Sequence, residues 1–201
     1  MLISLITLKS AIVKVLNSIN QLCEDYGSDK CPRLGHSYAP FYDALFYPRR
    51  NIKRLLEIGA GSYSCMGRYM KWYIPCASLY VWRDYFKKAI IYGIDIDESC
   101  LINEDRIHVE ICDQNDEKQL KSFIKRNDLR NKLEIIIDDG SHKLGHQINS
   151  AHTLMPYLKE GGIYCIEDVR KPEALLEVFG NYNCKVYEFN REGDNCIITL
   201  E

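Results

Sequence analysis

The stretch Leu55-Leu56-Glu57-Ile58-Gly59-Ala60-Gly61-Ser62 decides the fold of this chain. Its apolar half predicts a buried β-strand. Its two glycines predict a sharp turn that brings the backbone close to a ligand, because glycine has no Cβ. The dinucleotide fingerprint would place a third glycine at position 64, where this chain has Ser64. The loop therefore predicts a nucleotide-like ligand without settling which one.

Strand-like and helix-like segments alternate on both sides of this loop. Such alternation is typical of crossover units that build a mainly parallel sheet. We predict strands at residues 54–58, 89–94, 107–111, 133–137 and 163–166, and helices at residues 38–46, 78–86, 117–127 and 146–158.

The C-terminal end departs from this alternation. After a helix at 172–179, two strand-like segments at 185–189 and 197–200 are joined by a short polar loop, which predicts an antiparallel hairpin. The expected fold class is α/β, a Rossmann-like doubly wound sheet with an antiparallel C-terminal hairpin. This is the arrangement of class I S-adenosylmethionine-dependent methyltransferases, whereas a nicotinamide-binding domain would end differently.

Size and composition favour a single domain. A chain of 201 residues with 46% hydrophobic content can bury one sizeable core. We expect residues 1–50 to form N-terminal helices and a lid loop, and residues 51–201 to form the core. An amphipathic helix is predicted at about 3–23, and its apolar part is too short to span a bilayer. The net charge of -2 and the lack of a basic run make nucleic acid a minor hypothesis.

The nine cysteines are scattered along the sequence, and no two of them form a Cys-x-x-Cys motif. Several fall in strand-like apolar runs, where a free thiol behaves as a small buried hydrophobe. A reducing, intracellular location, the cytoplasm, is therefore expected.

Acidic residues lie at or just beyond the ends of the first three predicted strands and suit a methyl-donor cofactor. Asp95, after the second strand, is placed to accept hydrogen bonds from ribose hydroxyls. Asp113 and Gln114, after the third strand, are placed to contact adenine, although Asp113 could instead cap the next helix. With Asp138, whose position suits contact with the cofactor's amino group, the predicted cofactor set comprises Glu57, Gly59, Gly61, Ser62, Ser64, Asp95, Asp113, Gln114 and Asp138.

A second acidic group follows the next two strands. Asp139 lies just past the fourth strand, and Glu167 and Asp168 close the fifth. Mg²⁺ (or Mn²⁺) prefers such oxygen ligands, so the three carboxylates could converge on one ion. Successive strand residues point to opposite faces, so Glu167 and Asp168 can both be ligands only if the chain bends there.

His142 follows Asp139 by three residues and could accept a proton from a hydroxyl group. An alcohol is too weak an acid to lose its proton unaided, so a Lewis acid and a base acting on one oxygen would be complementary. His146 and His152 lie on the following predicted helix and are expected to be packing or surface residues.

At these residues the chain resembles the metal-dependent sugar O-methyltransferases that modify deoxysugars on macrolide antibiotics, a group similar to cephalosporin hydroxylase-like proteins. The matching residues are Gly27-Ser28-Asp29-Lys30 with His36, Tyr38 and Tyr42, the glycine loop, residues 78–86 and 92–97, Asp138 to His142, and Glu167-Asp168. The resemblance implies that Asp139, Glu167 and Asp168 bind magnesium and that His142 is the general base.

Two departures from the family limit what the resemblance implies about the acceptor. The loop from Ser64 to Ala77 is longer than is usual in the family, and the extra N-terminal domain of the macrolide enzymes is missing from this sequence. Lys30, His36 and Tyr38 could belong to a lid over the cofactor or the sugar, or could pack a loop.

The leading hypothesis is a magnesium-dependent O-methyltransferase that uses S-adenosylmethionine and acts on a sugar hydroxyl, for example of a deoxyhexose such as rhamnose in a glycan or glycoside. Fusion to, or association with, a glycosyltransferase is compatible with this role. A catechol or phenol O-methyltransferase and a noncatalytic binding module that keeps the cofactor fold remain alternatives, and a nucleic-acid methyltransferase is the weakest.

Overall fold

The computed structural model describes residues 18–189 and 195–201. In this part of the chain eight strands form one sheet in the order β3-β4-β2-β1-β5-β6-β8-β7. The strands are β1 (Arg54–Ile58), β2 (Ile90–Asp95), β3 (Asn103–Glu104), β4 (Ile107–Ile111), β5 (Leu133–Asp138), β6 (Leu158–Val169), β7 (Cys184–Tyr187) and β8 (Cys196–Leu200).

Helices connect the strands. They are α1 (Ile19–Tyr26), α2 (Tyr38–Phe46), α3 (Tyr63–Met66), α4 (Ala77–Tyr85), α5 (Glu117–Arg126), α6 (Leu144–Leu154) and α7 (Pro172–Phe179), with short 3₁₀ turns at Tyr47–Arg49, Glu98–Cys100 and Met155–Tyr157. None of the helices described is long and apolar enough to cross a membrane.

Strand β1 lies in the centre and pairs in parallel with β2 on one side and β5 on the other. Strands β4 and β6 extend this parallel sheet outward, and β8 then pairs antiparallel with both β6 and β7. The carboxyl ends of five parallel strands therefore lie along one edge of the sheet, where ligands bind in folds of this kind.

The sheet is buried on both faces. Alternate residues of β1 face opposite sides, so Leu55 packs in one core cluster with Trp82 and Leu56 packs in the other with Phe123. All four of these side chains are fully buried. Two hydrophobic layers thus hold the central strands in place and fix the positions of the residues at their ends.

The predicted sheet is confirmed, including its antiparallel end. The strands at 54–58 and 107–111 and the helices at 38–46 and 172–179 have the predicted limits, whereas β6 is longer than predicted and β3 was missed. Helix α6 starts two residues before the predicted position and ends in a 3₁₀ turn at Pro156, whose ring removes a backbone donor.

The predicted N-terminal helix falls largely outside the described residues. In the described part, Ser18 caps the start of α1, and its hydroxyl accepts a hydrogen bond from the Gln21 amide. It ends at Gly27, which has a left-handed φ of 77°. Most of the predicted hairpin loop at 191–195 also lies outside the described residues.

Candidate active site

The glycine loop after β1 is tightly enclosed. Gly59 and Gly61 have φ of +80° and +86°, and a Cβ at Gly59 would lie 2.3 Å from the carbonyl oxygen of Asp139. The amide of Gly61 donates a 3.0 Å hydrogen bond to Oδ2 of Asp95. The loop thus connects the ends of three neighbouring strands and leaves no space for a side chain at position 59.

Asp95, at the end of β2, is hydrogen-bonded to the loops around it. Oδ1 of Asp95 accepts a hydrogen bond from the Asp97 amide, and Asp97 in turn accepts one of 2.6 Å from the Ser64 hydroxyl. The Ser62 hydroxyl caps α3 by accepting from the Cys65 amide. Each carboxylate oxygen of Asp95 keeps lone-pair capacity for another donor. Asp95, Ser62 and Ser64 all line the cleft at the sheet edge.

Asp113 and Gln114 also line this cleft, but they differ in exposure and in their hydrogen bonds. Asp113 is exposed, and its carboxylate accepts a hydrogen bond from the amide of Asn115. The alternative that it caps the next helix is wrong, because Asp116 does so. The Gln114 side chain is committed internally, since Nε2 donates to Asp138 and Oε1 accepts from the Ser141 amide.

Two acids of the predicted cofactor set, Glu57 and Asp138, do not line the cleft. Asp138 is 1% exposed, and its carboxylate accepts hydrogen bonds from Gln114, Ser150, Tyr164 and the Gly140 amide. Burial raises its pKa to about 6, against the effect of these donors. Its contacts are those of a structural acid, which orients the turn leading to Asp139.

Glu57 is fully buried beneath the glycine loop. Its Oε2 accepts hydrogen bonds of 2.7 Å from the Ser78 hydroxyl and 3.1 Å from the Trp82 indole. Its Oε1 lies 3.6 Å from the Lys30 ammonium and has no hydrogen-bond partner in the described part of the chain. Burial raises its pKa to about 7, although Lys30 and these donors oppose the shift.

The remaining acids and His142 converge at one point of the cleft. One ligand atom from each of Asp139, His142 and Asp168 lies within 4.8 Å of the other two. Nε2 of His142 is 4.0 Å from Oδ1 of Asp139 and 3.9 Å from Oδ2 of Asp168. Nδ1 of His142 is buried without a hydrogen-bond partner among the residues described. The two carboxylates suit a divalent cation, and the imidazole beside them could either bind that cation or accept a proton.

The bend needed at Glu167 and Asp168 is present. Asp168 has a left-handed φ of 51°, and the pairing of β6 with β8 shifts register between Ile166 and Val169. This irregularity breaks the strand's alternation, so both acids lie at the same cleft. His142 is also left-handed, with φ of 54°. Such strained conformations in non-glycine residues are concentrated at functional sites.

Lys30 lies between the acids and is only 2% exposed. Its ammonium group is 2.5 Å from Oδ2 of Asp139 and 2.8 Å from Oε2 of Glu167. Burial alone would lower its pKa, but the surrounding carboxylates hold that pKa well above its ordinary value. Lys30 is therefore a fixed positive charge behind the cluster, which differs from the expected role in a lid.

Glu167 is turned toward this lysine. Its other oxygen, Oε1, accepts a 2.6 Å hydrogen bond from the Tyr42 hydroxyl, and burial raises its pKa well above the ordinary range. Glu167 lies beside Asp139 but outside the compact group of Asp139, His142 and Asp168. Its assignment as a metal ligand stays a prediction.

Asp168 is held by two donors, one of which the sequence analysis missed. Oδ1 accepts hydrogen bonds of 3.0 Å from the Tyr38 hydroxyl and 3.0 Å from Nδ2 of Asn195. Burial by itself would raise the pKa of Asp168. These two donors and the nearby His142 outweigh that effect, so the pKa of Asp168 is lowered. Tyr38 is fully buried and does not line the cleft, so it orients an acid where a lid residue was expected.

Two residues of the loop after α1, Asp29 and His36, line the cleft. His36 was considered for a lid over the cofactor or the sugar, whereas Asp29 was not among the predicted site residues. His146, expected to be a packing or surface residue, also lines the cleft, and its Nδ1 lies 2.8 Å from the Ser141 hydroxyl. His152 is exposed, as expected. The complete cleft has a volume of about 1120 Å³, which can hold a nucleotide-sized ligand and a second molecule.

Comparison with known proteins identifies relatives of this chain. The chain is 37% identical over 152 residues to demethylmacrocin O-methyltransferase of Streptomyces fradiae, a match that covers 75% of this chain and 36% of the relative. It is 34% identical over 149 residues to 8-demethyl-8-alpha-L-rhamnosyl tetracenomycin-C 2'-O-methyltransferase of Streptomyces olivaceus, covering 72% of this chain and 36% of the relative. The chain is homologous to these sugar O-methyltransferases. No model of a protein family matches it.

Solved structures agree with this relationship. The MycE methyltransferase from the mycinamycin biosynthetic pathway, in complex with Mg and SAH, superposes with a TM-score of 0.75 at 27% identity, over 92% of this chain and 55% of that one. A putative ribosomal RNA methyltransferase of Plasmodium falciparum, at 15% identity and a TM-score of 0.54, covers 82% of this chain and 94% of that one and shares the fold alone. This chain thus has the fold of a class I methyltransferase. The chain spans about a third of the length of the curated relatives it matches.

Proposed function

We propose that this chain is an S-adenosylmethionine-dependent, magnesium-dependent O-methyltransferase that acts on a sugar hydroxyl. The observation that carries the proposal is the convergence of Asp139, His142 and Asp168 in the cleft that the glycine loop also lines. The relatives support it, since one is named for a rhamnosyl tetracenomycin and another for mycinamicin VI, and MycE was solved with Mg and SAH.

The residues fit the proposed cofactor and ion. The glycine loop would let the methyl donor lie against the backbone, and Asp95 and Asp113 carry carboxylates that could accept hydrogen bonds from its ribose and adenine groups. Asp139 and Asp168 would hold the ion, with Glu167 as the third proposed ligand. When bound, Mg²⁺ would act as a Lewis acid that makes the acceptor hydroxyl easier to deprotonate.

The chain's own groups would then carry out the proton transfer. The acceptor oxygen would attack the methyl carbon, forming an O–C bond as the S–C bond breaks, and its proton would pass to Nε2 of His142. Tyr38 and Asn195 keep Asp168 in place, and Lys30 holds Asp139 from behind. Holding the two reactants in line would supply much of the rate acceleration.

Methyl transfer to defined sugars tests the proposal. The protein is incubated with methyl-labelled donor and a panel of 6-deoxyhexose methyl glycosides, with EDTA, and with EDTA followed by excess Mg²⁺. We expect labelled glycoside that disappears with EDTA and returns with Mg²⁺. Transfer that is indifferent to chelation, or no transfer to any sugar despite tight donor binding, contradicts the proposal.

Two alternatives make different predictions in the same assay. A catechol methyltransferase would label a catechol in preference to the glycosides and would retain activity after loss of His142, because phenols are more acidic than alcohols. A noncatalytic module would transfer no methyl group to any acceptor. Calorimetry with S-adenosylmethionine would then show whether the cofactor site itself is retained.

The domain organisation and the cellular location of the chain are also proposed. We propose one domain over residues 1–201, with a helical segment at 1–50 ahead of the core, and possible association with a glycosyltransferase. All nine cysteines are free thiols. Burial raises the pKa of several of them, and that of Cys112 rises to about 11. Free buried thiols favour a reducing cytoplasmic location, which localisation of a tagged protein would test.

A further inference from the structure

The loop after α1, at residues 27–36, forms one wall of the cleft. Two of the residues first considered for acceptor binding, Lys30 and Tyr38, are buried and already bound to the acids. Asp29 and His36 differ from them, since both line the cleft and each side chain is 28% exposed. Among the titratable residues of this loop that line the cleft, Asp29 and His36 are therefore the pair exposed enough to meet a substrate.

The backbone holds this pair in a fixed position. The His36 amide donates a 2.6 Å hydrogen bond to the carbonyl oxygen of Asp29. At Gly35 a Cβ would lie 2.5 Å from that same oxygen, so the turn closes only around glycine. Nε2 of His36 lies 3.9 Å from Oδ2 of Asp29, and the His36 ring stacks on Tyr38 at 4.8 Å between centroids. The turn therefore presents a carboxylate and an imidazole side by side.

The Asp29 carboxylate lines the same cleft as Asp139, His142 and Asp168. Burial raises the pKa of Asp29; the nearby charge of Lys30 opposes that shift, and the charges of Asp139 and Asp168 add to it. In the described chain, however, the compact group able to hold a metal ion comprises Asp139, His142 and Asp168. A partly exposed carboxylate that lines the same cleft, yet lies outside that group, suits a hydroxyl next to the reacting one, because carboxylates accept hydrogen bonds from such groups.

Building on the proposed function, we infer that Asp29, supported by His36, is a specificity-determining residue that accepts a hydrogen bond from an acceptor-sugar hydroxyl adjacent to the methylated one. The wall would then select sugars that carry two neighbouring hydroxyl groups. Loss of the Asp29 carboxylate and loss of that sugar hydroxyl should lower the rate of methyl transfer to a similar extent. A site built to bind a hydroxyl discriminates against analogues that lack it.

The test pairs a protein change with a substrate change. We compare kcat/KM of the wild type and Asp29→Asn on methyl α-L-rhamnoside and on its 2-, 3- and 4-deoxy analogues. Asp25→Asn is the matched control, because Asp25 is an exposed aspartate near the end of α1 that does not line the cleft. Calorimetry measures binding of S-adenosylmethionine and of Mn²⁺ to each protein, and thermal melting checks folding.

We expect Asp29→Asn to lower kcat/KM on the rhamnoside about 10- to 100-fold, as for loss of a charge-assisted hydrogen bond. On one deoxy analogue, the variant and the wild type should react equally. Affinities for S-adenosylmethionine and Mn²⁺ should stay within about threefold, and Asp25→Asn should behave as the wild type.

Three results would overturn the inference while leaving the proposed function intact. They are an unchanged Asp29→Asn enzyme, an equal loss on the rhamnoside and every deoxy analogue, and a loss of donor or Mn²⁺ affinity. The last would assign Asp29 to the cofactor or the ion. A wild-type protein that methylates no sugar would overturn both the proposed function and this inference.

Discussion

The hydroxyl of Tyr42 donates a 2.6 Å hydrogen bond to Oε1 of Glu167, and both side chains are fully buried. One turn earlier on α2, Tyr38 donates to Asp168. A single helix outside the sheet therefore orients two consecutive acids of β6. The cleft acids are positioned by groups more than a hundred residues away in sequence, and this can be tested one bond at a time.

Tyr38→Phe should weaken Mn²⁺ binding about 10- to 100-fold, the usual cost of removing a group that orients a metal ligand. Asn195→Ala removes the second donor to the same oxygen and should act in the same direction. Electron paramagnetic resonance of free Mn²⁺ measures the affinity. Tyr47→Phe, at an exposed position outside the cleft, is the control. An unaltered affinity in both variants would show that Asp168 needs no support.

His142→Gln should lower turnover by about 10²- to 10⁴-fold through loss of the base. Affinity for S-adenosylmethionine, measured by calorimetry, should hardly change. His152→Gln, at an exposed site on α6, should retain full activity. Retained turnover in His142→Gln would remove that residue from the role of base.

Glu57 should make stability depend on pH. Its pKa of about 7 in the folded protein lies above the ordinary 4.5. Between these values the unfolded chain loses the proton first, so stability falls as pH rises, by up to about 1.4 kcal/mol per pH unit. Urea unfolding of the wild type and Glu57→Gln at pH 5, 6, 7 and 8 isolates this effect. We expect the wild type to lose stability relative to the variant up to pH 7 and no further above it. Parallel curves would contradict the assignment.

Lys30→Met should destabilise the protein by about 3–5 kcal/mol, because it leaves buried carboxylates without their counter-charge. The double variant Lys30→Met, Glu167→Gln should recover part of the loss, since one of those charges is then removed. Chemical denaturation measures both. Lys121→Met, which removes an exposed partner of Glu117, should change stability by less than about 1 kcal/mol. Equal losses in the single and double variants would argue against the buried pair.

Gly59→Ala should prevent normal folding or destabilise it by more than about 2 kcal/mol. The new Cβ would meet the Asp139 backbone at 2.3 Å, and φ of +80° is strained for alanine. Gly145→Ala is the control, because its Cβ would meet nothing within 4 Å. Thermal melting and circular dichroism of both variants would show the difference. A Gly59→Ala protein as stable as the wild type would contradict the close approach.

Much of the fold could be predicted because apolar runs of strand length are separated by helices with clear limits. The gathering of Asp139, His142 and Asp168 also followed from the rule that parallel strands end at a common edge. The bend at Asp168 was stated only as a requirement, since nothing in the sequence of β6 specifies a left-handed residue there.

Other parts could not be predicted because they depend on distant partners. The sequence does not show that Lys30 contacts Asp139, which is 109 positions away, or that Asn195 contacts Asp168. Nor does it distinguish a strand-end acid that faces a cleft from one, such as Asp138, whose oxygens are taken up by protein donors. Such distinctions arise from packing and not from local pattern.

The indole bond between Trp82 and Glu57 offers an optical reporter of the buried acids. Trp82 is fully buried, while the other tryptophan, Trp72, is 92% exposed. In a Trp72→Phe protein, the tryptophan fluorescence would come from Trp82, whose indole NH donates a hydrogen bond to Glu57. Glu57 in turn lies beside Lys30, which contacts Asp139. Emission from that one ring should respond as protons, metal ions or cofactor enter, so occupancy of the reaction centre could be followed without any added dye.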